Sequence, residues 1–215
     1  MSQRGLFITV EGGEGAGKST AMAFLEPALR EAGVDLLCTR EPGGTRLGER
    51  LREILLAPAE SPVDPMAELL MIFAARAQHI SERVLPALQR GQWVLCDRFT
   101  DASYAYQGAG RRLGDEKISL LEDLVQGELR PDLTLLLDAP VELGLERARG
   151  RGALDRFEQE DIAFFERVRS AYLSRARRSS GRYRVINAAA DLDEVQQALK
   201  AVLSDLLACP TVLEE

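Results

Sequence analysis

Eight consecutive residues, Gly12-Gly13-Glu14-Gly15-Ala16-Gly17-Lys18-Ser19, fill the pattern G-x-x-x-x-G-K-[ST] at every position. Glycines at that spacing let the backbone curl so that successive N–H groups point inward, at phosphate oxygens. A helix that starts near Lys18 adds its positive dipole end to the same place. Lys18 can then reach the β- and γ-phosphates. The Ser19 hydroxyl, followed by Thr20, can ligate Mg²⁺. The pattern predicts a nucleoside triphosphate site and leaves the acceptor open.

A carboxylate ends each of two apolar runs. Trp93-Val94-Leu95-Cys96 stops at Asp97, and Leu133–Leu137 stops at Asp138. In open α/β sheets ligands collect outside the carboxyl ends of the strands. Asp97 is therefore placed to hold the shell of a magnesium ion. With Arg98 beside it, a purely structural Asp–Arg pair is the other reading. Asp138, followed by Ala139-Pro140, is read as structural.

The elements that would position these residues follow from the hydrophobic pattern. Leu6–Val10, Val34–Thr39, Trp93–Cys96, Leu133–Leu137 and Tyr183–Asn187 are short apolar runs bounded by turn residues, as strands buried on both faces are. Helices are predicted over Ser19–Ala32, Leu47–Leu56, Pro65–Gln89, Glu116–Leu129, Val141–Arg149, Gln159–Arg178 and Leu192–Leu207. Gly33 would close the first of them. Strands alternating with helical crossovers predict an α/β fold: a parallel sheet of about five strands covered by helices on both faces, in three layers.

The chain has 215 residues, 46% of them hydrophobic and 28% charged. This suits one globular domain, 1–215, and excludes a disordered or collagen-like chain. The net charge of −7 gives no reason to expect nucleic acid or an anionic membrane as partner. Cys38, Cys96 and Cys209 lie far apart without a CxxC, which argues against a disulfide framework or a zinc site. No apolar run nears the ~20 residues that span a bilayer. The reading is a cytoplasmic protein. The absence of an N-K-x-D motif disfavours a GTPase, and the size favours a small-molecule kinase.

Six segments then occur in order: FITVEGGEGAGKST (Phe7–Thr20), TREPGGT (Thr39–Thr45), FAAR (Phe73–Arg76), DRF (Asp97–Phe99), AYQG (Ala105–Gly108) and LDRFE (Leu154–Glu158). Together they resemble bacterial thymidylate kinases, P-loop nucleoside monophosphate kinases, over about Leu6 to Leu207. The resemblance implies transfer of the ATP γ-phosphoryl group to dTMP with Mg²⁺. It implies that Arg98 holds the dTMP phosphate and bridges to the γ-phosphate, and that Arg76 contacts the monophosphate or thymine. Arg40, Glu41 and Pro42 would wall the nucleotide pocket. Ser103 and Gln107 would face the thymine edge, with Tyr106 packed on the deoxyribose. Glu14 would lie near the 3′-hydroxyl and the metal. Family members often stack a phenylalanine on thymine four residues before the helix arginine. Ile72 stands there in this chain, so the stacking role is assigned to Phe73.

Arg147, Arg149, Arg151 and Arg156 flank Gly150 and Gly152, a composition that suits a mobile lid over about 147–157. Either Arg149 or Arg151 would supply a second cation to the transferred group, and Arg156 would pair with Asp155 or Glu158. Eleven arginines against five acids between Arg147 and Arg184 also allow a plain solvated face. His79 is read as a partly buried polar residue. The resemblance further implies a homodimer packed through the 66–88 helix. Three other readings predict different behaviour. A deoxynucleoside kinase would need Glu41 as a base, a nucleotide-gated binder would bind ATP without transfer, and a nucleic-acid binder would show steep salt dependence.

Overall fold

A computed structural model describes residues 4–57, 62–150 and 155–208. Among these, five parallel strands run β1 Phe7–Gly12, β2 Leu36–Arg40, β3 Trp93–Asp97, β4 Leu133–Asp138 and β5 Tyr183–Asn187, in the spatial order β2-β3-β1-β4-β5. The helices are α1 Lys18–Glu31, α2 Arg46–Leu56, α3 Pro65–His79, α4 Leu85–Gln89, α5 Thr100–Ser103, α6 Asp115–Gln126, α7 Val141–Arg149, α8 Ile162–Arg178 and α9 Leu192–Ala208. This is the expected three-layer α/β arrangement.

Alternation along β1 decides the layers. Ile8 and Val10 pack with Leu25, Leu29, Leu199 and Leu203 of α1 and α9 on one face. Phe7 turns to Val84, Leu88 and Phe99 on the other. Both-face burial holds for the inner strands β1, β3 and β4. It does not hold at the edges, a correction to the sequence reading: β2 is half-buried beyond Leu36, and β5 exposes Arg184, Val185 and Asn187. An edge strand has a neighbour on one side only, so its flank meets water.

Helix starts follow from local chemistry. Asp64 accepts from the N–H groups of Met66 and Ala67 at 2.8 and 3.1 Å, with Pro65 at the first helical position. Thr45 caps α2 through Gly48 N at 3.0 Å, and Asp161 caps α8 through Phe164 N at 2.6 Å. The cap at Asp161 moves that helix start from Gln159 to Ile162.

Two irregularities escape the hydrophobic pattern. The helix predicted over Pro65–Gln89 holds, but with a π-helical turn at Ile80–Val84 between α3 and α4. The segment after Phe99 is helical throughout, with α5 widening into a π turn at Tyr104–Gly110. Gly108 and Gly110 disguise this segment in the sequence. Packing on α8 requires a glycine at one of them: a Cβ on Gly110 would meet the Phe164 ring at 2.6 Å. Among the described residues no helix is long and apolar enough to cross a membrane.

Candidate active site

The parallel register gathers β1, β2 and β3 at one edge of the sheet. Val10 lies opposite Asp97, and Asp97 opposite Arg40. The chain therefore delivers the glycine loop, Asp97-Arg98 and Glu41-Pro42 to neighbouring points at the switch in strand order. The Glu41–Pro42 peptide is cis.

The loop from Gly13 to Gly17 turns from β1 into α1 with Gly15 at φ +65° and Gly17 at φ +88°. Gly15 also lies against α7, where an added Cβ would sit 1.8 Å from the Gly144 carbonyl oxygen. Lys18 Nζ donates back to the carbonyls of Gly13 and Gly12 at 2.8 and 3.2 Å. Burial, reinforced by the nearby Arg98 charge, lowers its pKa to about 8.

Arg98, with φ +67°, is held from four sides. Its Nη1 donates to the Gly12 carbonyl at 2.9 Å and to Tyr172 Oη at 3.2 Å. Its Nη2 donates to Glu14 Oε1 at 2.6 Å and to Tyr106 Oη at 2.9 Å. Tyr106 donates in turn to Glu14 Oε1 at 2.8 Å, and Tyr172 to Glu11 Oε2 at 2.8 Å. Glu11 is fully buried and also accepts from Phe99 N at 2.7 Å. Burial first, and the Asp101 charge second, raise its pKa to about 7. The guanidinium is thus held in one orientation by protein groups alone.

The structural Asp97–Arg98 pair is not formed. Arg98 pairs with Glu14 rather than with its neighbour, and Asp97 Oδ1 is buried without a hydrogen-bond partner. Asp97 and Ser19 both line a cavity beside the glycine loop and share an adjoining hollow with Arg40. Among the described residues no cluster of three or more His, Cys, Asp or Glu could cage a metal by itself. A magnesium ion would need phosphate oxygens alongside this hydroxyl and carboxylate, which suits its habit of binding with few protein ligands. Asp138 pairs with Arg169 at 2.8 Å.

Beside the loop opens a cavity of about 370 Å³ lined by Glu14, Lys18, Glu41, Pro42, Arg52, Leu55, Ile72, Arg76, Arg98, Ser103, Tyr106 and Gln107, among others. Arg76 is 1% exposed. Its Nε donates to Glu41 Oε2 at 2.7 Å and its Nη2 to Ser103 Oγ at 3.0 Å, while Nη1 is buried without a partner. Arg76 also lines the cavity, and a buried cationic donor without a partner suits an anion or a carbonyl oxygen. Burial alone would raise the Glu41 carboxyl, but Arg76 and the His79 hydrogen bond at 2.8 Å hold it below the usual range. His79 is fully buried, with Thr39 Oγ1 2.7 Å from its Nε2.

Three sequence expectations need correction. Phe73 does not wall this cavity: it lies in a core cluster with Leu69, Tyr104 and Ile118 and supports the Arg76 guanidinium 4.5 Å from its ring centre. Ile72 lines the cavity instead, because a one-residue step on a helix turns the side chain by about 100°. Arg40 is turned away to the adjoining hollow and pairs with Glu49 at 2.7 Å. Arg156 pairs with Glu68 at 2.7 Å rather than with Asp155 or Glu158. Of the expected lid, Arg147 donates to the Ala188 carbonyl at 2.8 Å, and Arg149 is exposed at the end of α7. Arg151 and Gly152 lie outside the described residues. Arginines 167, 169, 175 and 182 are engaged with the Gly110 carbonyl, Asp138 and Asp101, so this stretch is not a plain solvated face.

Sequence reasoning missed Arg52, Glu68, Glu11 and Tyr172. Arg52 projects from α2 to the cavity wall and donates to the Pro42 carbonyl at 3.1 Å. Glu68 and Tyr172 sit in helices whose composition is ordinary, and nothing in their own neighbourhoods marks them.

The glycine loop, Arg98 and Arg76 line one cavity at the carboxyl edge of the sheet. The fold and this loop define a P-loop phosphotransferase. Comparison with known proteins narrows the class. A family model described as thymidylate kinase matches residues 10–199. The thymidylate kinase of Teredinibacter turnerae is 62% identical over 203 residues, covering 94% of this chain and 99% of that protein. That of Pseudomonas savastanoi pv. phaseolicola is 60% identical over 203 residues, covering 94% and 97%. The crystal structure of thymidylate kinase from Ehrlichia chaffeensis matches at TM-score 0.76 and 32% identity, covering 94% of this chain and 99% of its own. The chain belongs to the thymidylate kinase family, whose enzymes phosphorylate dTMP to dTDP with ATP.

Proposed function

We propose that this chain, acting as one domain, transfers the γ-phosphoryl group of ATP to the 5′-phosphate of dTMP through the following division of labour. The observation that carries it is the pre-oriented Arg98 between the glycine loop and the cavity. A dTMP phosphate oxygen attacks the γ-phosphorus in line. The bond from that phosphorus to the β-phosphate oxygen breaks, and ADP leaves. The attacking oxygen is already anionic at neutral pH, so no general base is required. Catalysis is positioning plus charge neutralisation.

The loop N–H groups from Gly13 to Thr20 cradle the donor phosphates. Lys18 leaves the loop carbonyls for the β- and γ-oxygens. Arg98 bridges donor and acceptor. Ser19 and Asp97 would hold Mg²⁺, which supplies neutralisation of the charge shared by the β- and γ-phosphates. Glu14 is spent on Arg98 and Tyr106, so its part is to orient the arginine. A cation from Arg149 or Arg151 would complete the site when the lid closes. Arg76 Nη1 binds the acceptor nucleotide, Ser103 and Gln107 face the base, and Tyr106 packs the deoxyribose. A second hollow, lined by Thr20, Phe24, Arg147, Ala188 and Leu192, flanks the loop on its other side and suits the adenine end of the donor.

The nucleoside kinase reading loses support at Glu41. A base must be free to take a proton, and this carboxylate is committed to Arg76 and His79. Net charge of −7 and the internally paired arginines of the 147–184 stretch favour a small-molecule partner over nucleic acid. A cytoplasmic setting suits the free thiols of Cys38 and Cys96. A homodimer through the 66–88 helix is supported by the exposed row Ala67, Leu70, Ala74 and Ala77 on α3, where Leu70 is half exposed. Light scattering on the wild type and on Leu70→Glu tests that part. A dimer that Leu70→Glu dissociates supports it, and a monomeric wild type removes it.

The deciding measurement is ADP production from ATP and Mg²⁺ with dTMP or thymidine as sole acceptor. Turnover with dTMP alone is expected. Turnover with thymidine alone would move the reading to the nucleoside kinases. ATP binding without transfer to either would leave a nucleotide-gated binder.

A further inference from the structure

Gln107, on the cavity wall, is 2% exposed and its carboxamide is gripped from behind. Its Nε2 donates to Glu68 Oε1 at 2.8 Å. Glu68, in the first turns of α3, is itself fully buried. It is neutralised by Arg156 Nη2, 2.7 Å from Oε2, and by Arg111 Nε, 3.3 Å from Oε1. Arg111 is anchored in addition on Glu160. Neither guanidinium can accept a hydrogen bond, and an ionised carboxylate cannot donate one. The hydrogen bonds that Arg111 Nε and Gln107 Nε2 donate to Glu68 Oε1 therefore have one permitted direction.

We infer that Glu68 is a specificity-determining positioning residue that compels Gln107 to present its carbonyl oxygen to the nucleobase. A carboxamide can ordinarily rotate by half a turn and offer either its oxygen or its NH₂ at nearly the same position. Here rotation would place the Gln107 oxygen against the Glu68 carboxylate, two acceptors in a buried space, so it is forbidden. The cavity consequently meets an acceptor. Thymine and uracil carry a donor, N3–H, on their pairing edge. Cytosine carries an acceptor at N3. The device accepts the first two bases and rejects the third, because cytosine would leave two buried oxygen and nitrogen lone pairs facing one another. It does not separate thymine from uracil, which differ only at the 5-methyl group. Glu68 touches no ligand in this account and acts through Gln107. The inference rests on the reading that the base of dTMP occupies this cavity.

The experiment is the ratio of kcat/KM for dTMP over dCMP, in the wild type, Glu68→Met and Glu68→Asp, with folding followed by thermal melting. Glu68→Met removes the acceptor and frees the carboxamide to turn. The ratio is expected to fall about 10- to 100-fold, the discrimination a good pair of base hydrogen bonds confers, while KM for ATP holds. Glu68→Asp keeps a carboxylate and is expected to retain most of the preference, a rescue that a merely structural role would not show. A folded Glu68→Met enzyme with the wild-type ratio overturns the inference. Should Glu68→Met not fold, the side-chain amide of Gln107 decides in the wild-type enzyme, assigned in nitrogen-15 spectra by its loss in Gln107→Leu. Slow hydrogen exchange there, in the absence of nucleotide, is the expected result. Exchange as fast as at exposed glutamines overturns the inference. A wild type with no preference for dTMP over dCMP would instead overturn the base placement itself, so the two failures are distinguishable.

Discussion

The two ends of the cavity are built on different plans. At the phosphate end, Gly12 to Thr20 form one continuous stretch, and the chemistry comes from backbone N–H groups, one lysine and one hydroxyl. At the other end, Ile72, Arg76, Ser103 and Gln107 come from α3, α5 and the π turn that follows it. On the proposed function, the first plan meets charge that every nucleoside triphosphate carries, and the second a neutral ring that needs a few placed hydrogen bonds. Substitutions at the phosphate end should therefore lower kcat, and those at the base end should change KM and the choice of substrate.

The largest effect is expected from Gly15→Ala. A Cβ there would lie 1.8 Å from the Gly144 carbonyl on a backbone at φ +65°, so the loop must deform. Transfer activity should fall below detection in the coupled ADP assay while a far-ultraviolet spectrum keeps its helical signature. Substantial turnover would show that the loop tolerates a different packing on α7.

Lys18→Ala comes next. Removing a preorganised electrostatic group of this kind costs about 10²–10³ in kcat, and kcat should fall at least so far with KM for dTMP little changed. A loss confined to KM for dTMP would erase the distinction between the two ends.

Proton linkage sharpens the same contrast. The Lys18 ammonium has its pKa depressed to about 8, so it is charged below that pH and neutral above it. ATP phosphates favour the charged form. Affinity for ATP should then weaken as pH rises through 8, and binding near pH 8 should take up protons. Titration calorimetry in buffers of different ionisation enthalpy measures that uptake, and Lys18→Met should abolish it. The same depressed pKa means that folding stability of the ligand-free enzyme rises between about pH 8 and the unfolded lysine value near 10.4. Affinity for dTMP should be indifferent to this group.

The smallest effect lies at the base end. Ile72→Phe would offer thymine a stacking face, and an aromatic pair contributes about 0.5–1.5 kcal/mol. KM for dTMP should fall about 2- to 10-fold with kcat nearly unchanged. An increase in KM would mean that the larger ring fills space the base requires.

Much of the fold was readable in advance for a physical reason. Strands buried by two layers must be apolar along their whole length, so β1, β3 and β4 stand out as runs. Helices packed on a sheet must repeat near 3.6 residues, so their centres stand out as well. The edge strands and the segment after Phe99 carry weaker patterns, because water or a neighbouring helix satisfies part of their surface. Phe73 shows the limit of motif spacing. Its place three residues before Arg76 is plain in the sequence, yet which of two adjacent side chains faces a cavity depends on how the helix is rotated by its neighbours. The helix beneath it is fixed by the packing of Leu69, Phe73, Tyr104 and Ile118, contacts between residues far apart in the chain.

The sequence by itself determined the phosphate loop, the strand-end Asp97-Arg98 and the α/β class, because each depends on residues adjacent in the chain or on a regular period. Tertiary structure alone decided that Arg98 leans on Glu14, Tyr106 and Tyr172 rather than on Asp97, that Asp97 keeps a buried oxygen without a partner, and that Ile72 walls the cavity. It also decided that Glu68 grips Gln107 across 39 positions of sequence. Hydrogen bonds and ion pairs act over about 3 Å in space, and no local pattern in a chain specifies which distant residues folding will bring that close.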